Sequence, residues 1–163
     1  MHPTITYLLL AHNHEAFVAD AVASAFAQTW SPLEIVISDD ASTDGTGERL
    51  EPLAAGYRGP HRVTVLRQPH RLGLCRHLQA AVAHTRGEYL VLASADDMSL
   101  PDRVERVIEA IERHGPLGAV FGRYHVFRDR PGEPRQWRPE SLTEPWVAPP
   151  GSLRWLDALE SDA

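Results

Sequence analysis

Lysine is missing from this 163-residue chain: all sixteen basic residues are arginine. Codon bias is the plain reading of that choice, yet the choice has a chemical consequence. Neither a Schiff-base lysine nor a phosphate-loop lysine is available, so both mechanisms are excluded. Cysteine is nearly missing as well. With Cys75 alone, the chain can form no internal disulfide and no Cys-rich zinc site. Positive charge is not in excess. Sixteen basic against twenty-two acidic residues leave a formal charge of −6, with no basic block. That balance argues against nucleic acid as a main partner. Long apolar runs are also lacking. The stretch at residues 5 to 10 is far too short to cross a bilayer. No basic start followed by a long apolar stretch marks a signal peptide, so the expected location is cytoplasmic.

What is present suits one soluble domain. Hydrophobic residues make up 43% and charged residues 23%, ordinary for a globular protein with a real core. The pattern predicts strands over Thr4–Leu10, Leu33–Ile37, Val63–Leu66, Tyr89–Ala93 and Leu117–Phe121. Between them lie helical periods. The first puts Phe17, Ala21, Val22, Ala25 and Phe26 on one face, with Asn13 as its cap. The second follows Ser42 or Thr43 and is strained or broken at Pro52. The third covers Leu74–Thr85, with Leu74, Leu78, Ala81 and Val82 inward and Gly87 as its stop. The fourth runs from Pro101 through Ile111.

Strand then helix, four times over with short links, predicts an α/β fold. The sheet should be mostly parallel with helices on both faces, Rossmann-like. Residues 1–129 form the expected domain. Residues 130–163 read as an irregular, proline-rich C-terminal segment. A short helix over Ser152–Glu160 is expected at its end.

Chemistry concentrates in two acidic clusters. Leu33–Ser38 leads into Asp39, Asp40 and Asp44. Tyr89–Ser94 leads into Asp96 and Asp97. In an α/β sheet the carboxyl ends of neighbouring strands meet at one crevice, where ligands bind. Two carboxylate clusters there repel unless something cationic or strongly hydrogen-bonding lies between them. A divalent metal holding a diphosphate, beside a nucleoside, meets that need. Asp39 or Asp40 can accept a nucleobase imide N–H or a ribose hydroxyl. Asp44 suits the first turn of a helix. Asp96 and Asp97 suit Mg²⁺ or Mn²⁺, which takes one or two carboxylates plus phosphate oxygens. His70, Arg71, Arg76 and His77 flank Gly73 on the same edge, where arginine forks can pair with a diphosphate. Cys75 reads as a small core residue. His12 and His14 fall at the end of strand one, with His12 suited to a ligand ring or ribose.

Three segments then carry a resemblance. Leu8–Asn13, Glu34–Thr46 and Arg86–Asp97 resemble family 2 glycosyltransferases of the GT-A fold over residues 4 to 127. The resemblance implies transfer of a sugar from a nucleotide-diphosphate donor, UDP favoured over dTDP or GDP, to a hydroxyl acceptor, with inversion at the anomeric carbon as the expected outcome. The acceptor would be a lipid-linked sugar, a polysaccharide end or a protein. It implies nucleobase contact at Asp39, with Asp40 beside it, and Ala11 and Asn13 lining the nucleotide pocket. It implies Asp96 at the metal and donor phosphates, followed by Asp97.

Five positions depart from the family's pattern. Leu10 replaces a proline, Ala41 a glycine and Ser94 the first aspartate of the Asp-x-Asp motif. Arg71 and Gln79 replace asparagines. The catalytic base has no recognisable context among Glu140, Glu144, Asp157 and Glu160, so the chain reads as the donor-binding part of such an enzyme. The competing readings are a non-catalytic nucleotide-sugar-binding or scaffold module, and a nucleotidyltransferase. The latter needs a glycine- and basic-rich loop that Ala11–Glu15 does not provide.

Overall fold

The computed structural model describes residues 2–121, 126–128, 136–138 and 146–148. Strands and helices alternate: β1 (Ile5–Ala11), α1 (Val18–Phe26), β2 (Glu34–Asp39), α2 (Thr46–Gly56), β3 (Arg62–Arg67), α3 (Leu74–Val82), β4 (Tyr89–Ser94) and α4 (Arg103–His114). Short strands follow: β5 (Ala119–Phe121), β6 (Val126–Arg128), β7 (Gln136–Arg138) and β8 (Trp146–Ala148). The chain divides into two compact units, Met1–Ile108 and Glu109–Ala163. Among the described residues, no helix is long and apolar enough to cross a membrane.

In the first unit, β1 to β4 form one parallel sheet in the order β3-β2-β1-β4. Near-continuous apolar strands dictate this, because a parallel sheet must be covered on both faces. Alternation divides the core. Leu8 and Val36 point to one face and pack with Leu78 and Ala81 of α3, joined by Leu10, Leu66 and Val82. Tyr7, Leu9, Ile35 and Ile37, all fully buried, point to the other face. There α1 and α2 pack on each other and on the strands, with Val18, Val22 and Leu50 inward. Each such aliphatic side chain contributes about 1.5–3 kcal/mol by leaving water. Register aligns the carboxyl ends: Ala11 lies beside Asp39, Leu10 beside Ser94, and Asp39 beside Arg67. The strand order reverses at β1, so the ligand crevice of such a sheet opens above β1 and β4.

Several local expectations are corrected. Asn13 does not cap α1, which begins after Phe17 without a side-chain cap. Thr46 begins α2, later than a cap at Ser42 or Thr43 predicts, and Pro52 lies inside the helix without ending it. That position is exposed, where water can serve the carbonyl that proline leaves unpaired. Leu74 is 73% exposed and Cys75 is exposed, although both read as inward. The first turn of α3 springs from Gly73 at φ 80° and settles over the sheet only from His77 onward. Helical period alone extends the inner face one turn too far. Gly87 does not stop α3, which ends at Val82. Its amide donates to Thr6 Oγ1 (2.9 Å), and any Cβ there would collide with the Thr6 backbone.

The second unit pairs β5 with β8 and β6 with β7, both antiparallel. Strands of three residues are too short to display alternation in the sequence. The helix expected at Ser152–Glu160 lies outside the described residues, as do Glu140, Glu144, Asp157 and Glu160.

Candidate functional site

The first two loops at the carboxyl edge are laced together. One further step of ladder joins them, the Asp40 amide donating to the Ala11 carbonyl (2.9 Å). His12 Nδ1 donates to the Asp40 carbonyl (2.9 Å). Asn13 and Ala41 then turn the chain through left-handed backbone, at φ 57° and 51°. Asparagine adopts that region readily, whereas alanine does so at a cost of about 1 kcal/mol. The Asn13 amide donates to Ser42 Oγ (2.9 Å), and its side-chain oxygen accepts from the Thr43 amide (2.8 Å). His14 donates its amide to Thr46 Oγ1 (2.8 Å), and Glu15 donates its amide to Asp44 Oδ2 (3.1 Å). Glu15 in turn accepts from the Gly45 amide (3.1 Å) and from Arg49 (3.0 Å).

These bonds set charge states. The Arg49 hydrogen bond and the Gly45 amide hold the Glu15 carboxyl below its ordinary range. Partial burial pushes Asp44 up, but hydrogen bonds from Thr46 and from the Glu15 amide outweigh it and hold that carboxyl low. Asp44 thus serves the start of α2 from two residues before it, whereas the sequence pattern places it inside the first turn.

Asp39 and Asp40 are both buried, and each carboxylate is spoken for. Asp39, at 0% exposure, accepts from the Ser42 hydroxyl and amide. Its Oδ2 also lies 3.6 Å from Arg67 Nε. Arg67 reaches on to Glu48 (3.5 Å) and lies flat over Gly47, where a Cβ would strike its guanidinium. Buried carboxylates are tolerated only when paired and hydrogen-bonded in this way. Asp40 accepts from two consecutive amides, Leu72 to Oδ1 (2.7 Å) and Gly73 to Oδ2 (2.9 Å). It thereby pins the link between β3 and α3. That link and the first turn of α3 present His70, Arg71 and Arg76 to solvent. His77 does not join them. It is buried, sharing a 2.8 Å hydrogen bond with Ser38 on β2. Burial holds its imidazole below the usual range, against the pull of Asp40 and Asp39.

The second cluster is built differently. The Ala95 amide donates to the Leu10 carbonyl (2.8 Å), which brings the β4 end beside β1. Asp96 is half-exposed. One oxygen accepts from the Ser94 hydroxyl, and the other faces His14 Nε2 at 3.9 Å. His14 Nδ1 is buried with no hydrogen-bond partner among the described residues. Asp97 is raised above the ordinary carboxyl range, first by loss of hydration and then by the Asp96 charge, against Arg103 and His14. Negative charge is therefore under-compensated here. Among the described residues no three or more His, Cys, Asp or Glu side chains converge to hold a metal ion. The donor set fits a cation that brings phosphate oxygens and water with it. It does not fit a metal caged by protein.

Behind this loop, Ser99 is a hub. Its hydroxyl bonds the Tyr7 hydroxyl (2.6 Å) and accepts from Arg103 (2.9 Å), and its amide donates to Ser24 Oγ (3.1 Å). Gln28 at the end of α1 donates to the Leu100 carbonyl (2.9 Å) and accepts from the Val104 amide (3.1 Å).

Of the residues expected at the site, Ala11, Asn13, Asp39, Asp40, Arg71, Arg76, Asp96 and Asp97 all fall on the carboxyl side of the sheet. Ala11 is buried and meets the edge through its carbonyl. Nothing in the sequence pattern marks Arg67, Glu15 or Ser99 for the site, and Ser42 reads there only as a helix cap. Only the parallel register, which sets Arg67 beside Asp39, would have exposed the first. A shallow cavity of about 420 Å³ is lined by Asn13, Glu15, Ala16, Phe17, Asp44 and Arg49. It includes neither Asp39 nor Asp96, and its charged groups are already paired.

Known proteins share this fold. The chain is 30% identical over 118 residues to the succinoglycan biosynthesis protein ExoO of Rhizobium meliloti, an overlap of 72% of this chain and 32% of that protein. The structure resembles S. aureus TarS solved in complex with UDP-GlcNAc (TM-score 0.60, 21% identity, 68% of this chain and 32% of that one). It also resembles the mannosyltransferase PcManGT from Pyrobaculum calidifontis, solved with GDP-Man and Mn²⁺ (TM-score 0.68, 21% identity, 77% and 36%). These likenesses establish the fold. The chain spans 32 to 42% of the length of eight curated relatives. The model of glycosyl transferase family 2 matches residues 7–159, and the chain belongs to that family.

Proposed function

We propose that the carboxyl edge of β1, β2 and β4 binds a nucleoside-diphosphate sugar, whose sugar passes to a hydroxyl acceptor. One observation carries this reading: two carboxylate clusters share an edge, and only one is internally satisfied. The Asp39 side, tied to Ala11 and Asn13 by the laced loops, suits the nucleoside. Asp40 lies beneath the arginine-bearing link. Arg71 and Arg76 are exposed forks suited to a diphosphate.

Asp96, with Asp97 beside it, would hold Mg²⁺ or Mn²⁺. A cation held there would supply charge to offset the negative charge on a departing diphosphate. The Ser94 hydroxyl orients Asp96 where the family has a second carboxylate, so fewer protein charges face the cation. Support also comes from relatives of the same fold whose structures were solved with UDP-GlcNAc, or with GDP-Man and Mn²⁺. UDP is the favoured donor nucleotide.

Titration calorimetry of the folded chain tests the reading. UDP should bind with Mn²⁺ present and more weakly without it. Absence of heat with UDP, dTDP and GDP alike would sink it.

A further inference from the structure

Segment 69–73 is held from outside by one side chain. Among the described residues, its only hydrogen bonds to other elements are the Leu72 and Gly73 amides donated to Asp40. The Gly73 carbonyl serves α3 itself, accepting from the His77 amide (2.8 Å). Gly73 adopts φ 80° and ψ 162°, a region essentially reserved for glycine. On either side of this pin stand Arg71 and Arg76. Both are exposed, and neither guanidinium has an ion pair or hydrogen bond among the described residues. The amides that open α3 are also a natural anion site. Asp40 takes the two amides just before α3, those of Leu72 and the N-cap Gly73, and so fixes how the exposed arginines stand beside the first turn of the helix.

We infer that Asp40 is a positioning residue: by holding the Leu72 and Gly73 amides, it sets Arg71 and Arg76 in place for the diphosphate of a nucleotide ligand. The inference rests on the proposed nucleotide site. It assigns Asp40 an effect on the diphosphate, with none on the nucleoside. Asparagine is the informative substitution, because it offers one acceptor where two amides must be served.

The test compares UDP with uridine, both with Mg²⁺, for the unaltered chain and for Asp40→Asn, Arg71→Ala/Arg76→Ala and the combined triple variant. Asp40→Asn should weaken UDP binding about tenfold and leave uridine unchanged. The triple variant should bind UDP within about twofold of the double arginine variant, since removing Asp40 acts through the same two side chains. Gly73→Ala gives a second route. Its Cβ would meet nothing within 4 Å, so any loss reports displaced backbone; UDP should again weaken while uridine holds.

Hydrogen exchange supplies a readout without ligand: the Leu72 and Gly73 amides should lose protection in Asp40→Asn. Unchanged protection, equal losses for uridine and UDP, or additive losses in the triple variant would each overturn the inference. Should the unaltered chain bind neither UDP nor uridine while those amides do lose protection, the nucleotide reading fails and the pin itself stands.

Discussion

The two acidic clusters differ in how completely they are satisfied. At the end of β2, each of Asp39, Asp40 and Asp44 accepts from at least two donor groups within the fold. At the end of β4, Asp96 has one hydroxyl and a histidine at 3.9 Å, and the Asp97 carboxyl is pushed up by its surroundings. A satisfied carboxylate holds structure in place. An unsatisfied one keeps its charge available to something that arrives. The difference teaches that acidic residues in one sequence pattern can divide into scaffold and recognition, and that partners decide which is which.

The strongest attack on this contrast is Asp39→Ala. It strands the Ser42 hydroxyl and frees Arg67 beside the emptied site, so urea denaturation should show a loss of about 3 kcal/mol. If stability holds, the first cluster is not scaffold. Asp96→Asn should behave in the opposite way. Stability should stay within about 0.5 kcal/mol, while the Mn²⁺-dependent part of UDP affinity falls roughly thirtyfold, or about 2 kcal/mol. A stability loss matching that of Asp39→Ala would erase the contrast.

Asp97→Asn gives the smallest effect. A carboxyl whose folded pKa is raised is destabilising when ionised, and the penalty fades as pH falls through the carboxyl range. The asparagine variant should therefore be more stable at neutral pH without metal. Solvent screening keeps that gain under about 1 kcal/mol, and the two proteins should converge near pH 3. A variant less stable at pH 7 would mean that Arg103 and His14 already compensate the charge.

Much of the scaffold was legible because strand and helix each leave a period. Leu8 and Val36 fall in two of the expected strands, and both are buried. Strand order was not legible, since nothing in the sequence of β4 says that it lies beside β1. Leu74 shows the limit of periodicity: a helix can share a face with its inner residues and still start beyond the sheet. At the site, the residue types and their order marked Asp39 and Asp96. The partners that separate them come from other strands and loops. Arg67 reaches Asp39 only through register, and His14 reaches Asp96 only through the β1–β4 pairing. Such contacts have no local signature.

Ser99 and Gln28 give the β4 loop a long lever. The segment that carries Asp96 and Asp97 is fastened through Ser99 to Tyr7 in the middle of β1, and through Gln28 to the far end of α1. A screen that scores only nucleotide binding would return Ser24, Gln28 and Tyr7 beside Asp96, and nothing in the phenotype would tell them apart. As a genetic target, the acidic loop is several times larger than the few atoms that would meet a ligand.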